Sequence, residues 1–332
     1  MGLKIFLVCV IQLFLFSQSA IAENSTNISE LKKIVVSGKV PGPDLWKVTH
    51  GENTLWILGT LSPLPKRIDW NSIPVEQEIK KSQAFISMPS FYFDLDDIGF
   101  FGKLSLAKSA IGIKKNPEKQ KLKSILPAEI YARWLSLKHK YIGKSRNIEK
   151  TRPIFAVYKL LEKALKKNGL TSNTKIVKKL KKVAKKYRLE IIEPKIKVEF
   201  KEPKSMVKKF KKTSMNDLEC FIKTLDRVEY DLNNMSVRAN AWSMGEVAII
   251  KSLPYVDEGQ ACSSTFLNSD LAQEAGLYDI KSRLREVWLE AVDESLSTNN
   301  STFAVWPITQ LLSDDSILND LAAKGYLIDS PL

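Results

Sequence analysis

Apolar runs short enough to be strands gather at the two ends of the chain, and amphipathic helical stretches fill most of the interval between them. Leu45-Trp46-Lys47-Val48 and Thr54 to Leu58 flank His50-Gly51-Glu52-Asn53. That pattern reads as a β-hairpin whose second strand is the more deeply buried. Ala84 to Met88 reads as another buried strand, stopped by Pro89, and Leu189 to Ile192 as a third, ending at Glu193-Pro194. Ile196, Val198 and Phe200 alternate with charges, as a half-exposed strand does. Thr302 to Val305 and Gly325 to Ile328 supply the last strands. Helical patterning covers Val75 to Ser82, Pro127 to Lys140, Pro153 to Lys167, Ser205 to Ser252, Leu277 to Leu296 and residues 316–324. Ile176, Val177, Leu180, Val183, Ala184 and Tyr187 recur with the period of one helix face. The expected class is α/β (α+β): a central mixed sheet formed by strands from both chain ends and surrounded by helices. Pro41-Gly42-Pro43 marks its start, so residues 41–332 are expected to form one domain.

The first 22 residues carry Lys4, an apolar stretch from Ile5 to Phe16 and a small-residue site at Ala20-Ile21-Ala22. This is the pattern of a cleaved secretory signal, and the apolar run is short for a membrane span. Residues 23–40 are polar and without a helical stripe, which fits a flexible lead-in. The expected location is therefore outside the cytoplasm, periplasmic or secreted. The net charge of +14 falls to +13 once Lys4 is removed. Such a balance favours anionic surfaces. Of three cysteines, Cys9 leaves with the signal, and Cys220 and Cys262 remain as an even pair. An oxidising compartment favours a disulfide between them, with two buried thiols as the other reading.

Lysines concentrate between Lys159 and Lys212, in the doublets Lys178-Lys179, Lys181-Lys182, Lys185-Lys186, Lys208-Lys209 and Lys211-Lys212. They read either as a solvated face or as a docking patch for an anionic envelope polymer or an acidic protein. Aromatic interleaving is slight, so nucleic acid is not expected as a partner. Metal ligation is poorly served, because His50 sits in a predicted turn and His139 among lysines. Ser62 has no Gly-x-Ser-x-Gly elbow around it, and no phosphate-binding glycine loop is present. Glu193, at the end of a buried strand, is the carboxylate most suited to chemistry. Burial would raise its pKa unless a cation pairs with it, and Arg283 or Arg285 could do so.

Taken in order, these segments resemble the TraB/GumN family, whose fold Tiki-type metalloproteases share. The resemblance runs over roughly residues 41–330. It rests on the opening hairpin to Gly59-Thr60, Gly169-Leu170 and the following helix, Leu189 to Glu193, Arg285 to Trp288, Thr302-Phe303-Ala304-Val305, and Gly325-Tyr326. The family's chemistry, as the resemblance implies it, rests on two Gly-x-x-His motifs whose imidazoles hold a metal that activates water. Here the first motif reads Gly59-Thr60-Leu61-Ser62, and the second region reads Val305-Trp306-Pro307-Ile308-Thr309. Both histidines are missing, and Ser87-Met88-Pro89-Ser90 stands where an acidic residue would follow the second strand.

The resemblance therefore implies a pocket around Gly59, Thr60, Ser62, Glu193, Arg283, Arg285 and Thr309, with no metal and no other cofactor expected. The expected function is an exported, non-catalytic binding protein built on a metallopeptidase-like fold. The alternative is a metal-independent hydrolase, with Glu193 as acid or base, Ser62 and Thr309 orienting substrate and an arginine such as Arg285 stabilising negative charge.

Overall fold

The computed structural model describes residues 41–95, 98–172, 174–199 and 202–332. The leader, the lead-in, Cys9 and Phe200 lie outside the described residues.

The expected hairpin forms from β1 (Leu45–His50) and β2 (Asn53–Thr60), with Leu55, Ile57 and Leu58 buried on the second strand. Beyond the corner at Gly59 and Thr60, β3 (Leu64–Pro65) precedes helix α1 (Ile73–Lys81). Strand β4 (Ala84–Ile86) follows, then β5 (Ser90–Asp94) and helix α2 (Gly99–Ala110). Helices α3 (Ala128–Tyr141) and α4 (Pro153–Lys167) come next, then β6 (Leu170–Thr171), α5 (Ile176–Lys186), β7 (Glu190–Ile192) and β8 (Lys195–Glu199). The stretch read as one long helical region divides into α6 (Pro203–Lys212), α7 (Leu218–Asp226), a π-helical turn at Arg227–Asp231 and α8 (Leu232–Met244). Pro203 starts α6, and Gly245 ends α8 in the left-handed conformation at φ 77°. The chain finishes with α9 (Glu258–Leu267), α10 (Ile280–Thr298), β9 (Ser301–Pro307), α11 (Ile317–Ala323) and β10 (Leu327–Asp329).

Strands from both chain ends meet in one mixed six-stranded sheet of order β10-β1-β2-β9-β4-β7. Strand β9 lies in the middle, which explains its run of five buried residues, Thr302 to Trp306. Strands β2, β9, β4 and β7 are parallel, in register Leu58 to Val305, Ile86 to Ala304 and Ile86 to Ile192. Their carboxyl ends therefore share one edge, the customary place for a ligand in a parallel sheet. Strand β4 ends at Ile86 and β7 at Ile192, ahead of Pro89 and Pro194, and beyond these prolines lies a separate two-stranded sheet. The chain resumes as β5 and β8, paired in parallel from Ser90 to Lys195 through Asp94 to Glu199. Strand β5 is not among the strands that the sequence pattern predicts.

Two main hydrophobic clusters form. The sheet core joins Leu55, Ile57, Phe85, Phe303 and Val305 to the buried stripe of α5, to Trp242 and to Trp288. The other is helical and gathers Trp134, Leu160, Phe221 and Leu225 around α3, α4 and α7. Cys220 on α7 and Cys262 on α9 form the expected disulfide. Among the described residues no helix is long and apolar enough to cross a membrane.

Candidate functional site

The corner after β2 is held by packing. A Cβ built on Gly59 would lie 2.7 Å from the Trp46 ring and 2.9 Å from Ile308. The Gly59 carbonyl accepts a 2.7 Å hydrogen bond from the Trp242 indole of α8. Thr60 donates its hydroxyl to the Trp306 carbonyl at 3.2 Å, tying the corner to β9. The next residues are fixed by β3 pairing with β6, Leu64 opposite Thr171, and by Lys66 N–H donating to the Gly169 carbonyl at 3.1 Å. The glycine is thus required even where the corner presents no histidine. Gly59→Ala is expected to lower unfolding free energy by about 1–3 kcal/mol through overpacking, as read by denaturant titration.

Around this edge lie Ser62 after β2, Thr309 in the short helix Ile308–Leu311 after β9, Ser87 after β4 and Glu193 after β7. Ser62 is exposed and donates its hydroxyl to the Ser172 carbonyl at 3.3 Å. Thr309 is half-buried. Glu193 departs from the sequence expectation on two counts. It is exposed, and its partners are lysines: Lys181 from α5 contacts one carboxylate oxygen and Lys195 the other, at 2.5 Å. Burial pulls the Lys181 pKa down first, and the like charges of Lys185 and Lys195 add to that.

Neither arginine pairs with Glu193. Arg283 donates to the Gly276 carbonyl at 3.1 Å and to Asp279 at 3.5 Å, inside its own helix start. Arg285 pairs with Asp320 of α11 and donates to the carbonyls of Asp315 at 3.0 Å and Ser316 at 2.9 Å. The hydrogen bond to Asp320 is the main reason its pKa is raised. Both arginines fasten loops. Lys195 was within reach of sequence reasoning, as Glu193-Pro194-Lys195 places it two residues away; Lys181 needed the docking of α5.

The two histidines lie elsewhere. His50 is at the opposite end of the hairpin, exposed, its ring 4.7 Å from that of Tyr326, and His139 is exposed near the end of α3. The donor set at the strand ends does not fit a divalent metal. Hydroxyls are weak ligands beside imidazole, and the carboxylate there already serves two ammonium groups. Among the described residues no group of three His, Cys, Asp or Glu could hold a metal ion. The buried polar atoms left without a protein partner near this edge are mostly donors, the indole N–H groups of Trp46 and Trp306, together with the Ser87 hydroxyl.

The lysine-rich zone is distributed over separate settings. Helix α4 packs on α7 and α3, α5 on α1 and β7, and α6 on α2. On α5, Lys178, Lys179, Lys182 and Lys185 are exposed and have no carboxylate partner among the described residues. Lys186 and Lys80 flank the exposed Tyr187, at 5.6 and 5.7 Å from its ring.

The architecture is mixed α/β, with a central mixed sheet whose strands come from both chain ends. The TraB/PrgY/gumN family model matches residues 44–330, and the chain belongs to that family. Comparison with curated proteins and with solved structures gave no match.

Proposed function

We propose that this chain is an exported member of the family that works by binding and has lost metal-dependent hydrolysis. The observation that carries the reading is the state of Glu193. It is the carboxylate at the strand ends, two lysines hold it, and hydroxyls stand at both corners where the family motif would place imidazoles. The leader pattern of residues 1–22 and the Cys220–Cys262 disulfide support an oxidising location, periplasmic or secreted. The unpaired lysines of α5 support an anionic partner, an envelope polymer or an acidic protein, with contact made through charge rather than base stacking.

The metal-independent hydrolase is the second reading, and Glu193 is its weak point. A carboxylate whose oxygens each accept a lysine is poorly placed to take a proton from water or substrate. Turnover of a peptide and ester panel, with and without added zinc or manganese, separates the two. No turnover is expected. Turnover abolished by Glu193→Gln would establish the hydrolase instead. In the binding reading Glu193→Gln changes stability by less than about 1 kcal/mol, because the pairs are partly exposed and screened.

A further inference from the structure

Helix α2 carries an apolar stripe that faces outward. Phe100, Leu104, Ala107 and Ile111 recur at i, i+4, i+7 and i+11, which is one helix face. Phe100 is 76%, Phe101 83% and Ile111 74% exposed, and α2 buries no residue. Its other side rests on α6, whose Lys211 donates to the carbonyls of Ser109 at 3.2 Å and Ile111 at 2.8 Å and so secures the end of the helix. On neighbouring β5, Phe91 and Tyr92 are 40% and 49% exposed. An exposed patch of this kind on a monomer marks an interaction surface.

The charges around the stripe select its partner. Residues 91–123 contain seven lysines and four acids, Asp94, Asp96, Asp97 and Glu118, and six of the lysines fall within 108–123, at the far end of the stripe. Directly beyond Ile111 a cavity of about 540 Å³ is lined by Lys114, Lys115 and Lys150 with Asn147 and Thr151, and among the described residues lining it none is acidic. With three lysines and no acid among those residues, the lining is a positive setting that attracts anionic headgroups. Apolar side chains projecting beside such a pocket match a bilayer surface: acyl chains take the rings, and headgroup phosphates take the lysines, whose stems lie along the apolar region.

We infer that the stripe Phe100, Phe101, Leu104 and Ile111, with the Lys114–Lys115–Lys150 pocket beside it, docks the protein on an anionic phospholipid surface. The surface is separate from the strand ends and does not depend on the reading of Glu193.

Flotation of the full chain with mixed phosphatidylglycerol–phosphatidylcholine vesicles tests this, with hydrogen exchange read on the same samples. Amides of residues 99–115 should slow on the mixed vesicles and not on pure phosphatidylcholine. The paired substitution Phe100→Ser with Phe101→Ser should cut the bound-to-free ratio about tenfold. Lys114→Glu with Lys115→Glu should do the same, as should added salt. The circular dichroism of both variants should be unchanged, since all four side chains are exposed. Unaltered exchange over 99–115, which would place any vesicle contact elsewhere in the chain, overturns the inference. So does a change in oligomeric state by sedimentation in the phenylalanine variant while vesicle binding persists, which would make the stripe a contact between copies.

Discussion

Asp231→Ala should lower the free energy of unfolding by about 3–5 kcal/mol, the expectation for removing one partner from a buried ionic group. Asp231 is 1% exposed and lies in the π-helical turn between α7 and α8. It accepts from Arg238 at 2.5 Å and lies 3.8 Å from Arg227, and both arginines are themselves buried. Arg227 also pairs with Glu258 at 2.7 Å and donates to the Val256 carbonyl at 2.6 Å, while Arg238 donates to the Pro254 carbonyl at 2.8 Å. The Tyr255 ring lies 4.8 Å from one guanidinium and 5.3 Å from the other. Taking away the Asp231 carboxylate leaves two guanidinium groups in a low-dielectric site with only Glu258 to balance them. Urea unfolding of Asp231→Ala reads the loss, and Asp231→Asn should recover part of it by keeping one hydrogen bond to Arg238. An effect below about 1 kcal/mol would mean that water reaches the cluster and screens it.

The Cys220→Ser, Cys262→Ser pair should cost a similar amount. The bridge joins residues 42 apart, and loop-closure entropy assigns such a cross-link about 4 kcal/mol. The loop it closes contains the π turn, α8 and the Pro254–Val256 carbonyls that the two arginines hold. Loss of the bridge and loss of Asp231 therefore act on one segment, and their effects should not add. The double and triple variants, compared by unfolding in one denaturant, measure that coupling. Full additivity would show that the disulfide and the ionic cluster hold separate units.

The sheet was legible in the sequence because its strands are apolar runs that alternation and turn residues delimit. Gly51 follows the first, the Gly59-Thr60 corner ends the second, and Pro307 closes the most buried one. The stop expected at Pro89 holds for the central sheet, where β4 ends at Ile86, but the separate strand β5 directly after it carries no such signal. Strand β5 begins at Ser90, just past the proline, and pairs along one side only, with β8. The helical expectation for residues 205–252 runs over the break at 214–217, which holds no glycine or proline, over the π turn, and over Gly245, whose left-handed conformation ends α8. At the site, the corner at Gly59 and the missing histidines could be read directly. Of the two ion-pair partners of Glu193, Lys195 stands two residues away, but Lys181 reaches it only through the docking of α5. The clamps on Arg283 and Arg285 lie up to 35 positions away along the chain. Arg227, Asp231 and Arg238 fall at i, i+4 and i+11 in a region with many charges, and periodicity alone gives no sign that they are buried.

The most direct measurement is the metal content of the purified chain, by plasma mass spectrometry, after equilibration with zinc and with manganese and removal of the excess. With hydroxyls at both corners and Glu193 held by Lys181 and Lys195, retention well below about one ion per chain is expected. About one equivalent retained, and lost on Ser62→Ala or Glu193→Ala, would contradict the account and place a working metal centre at the ends of these strands.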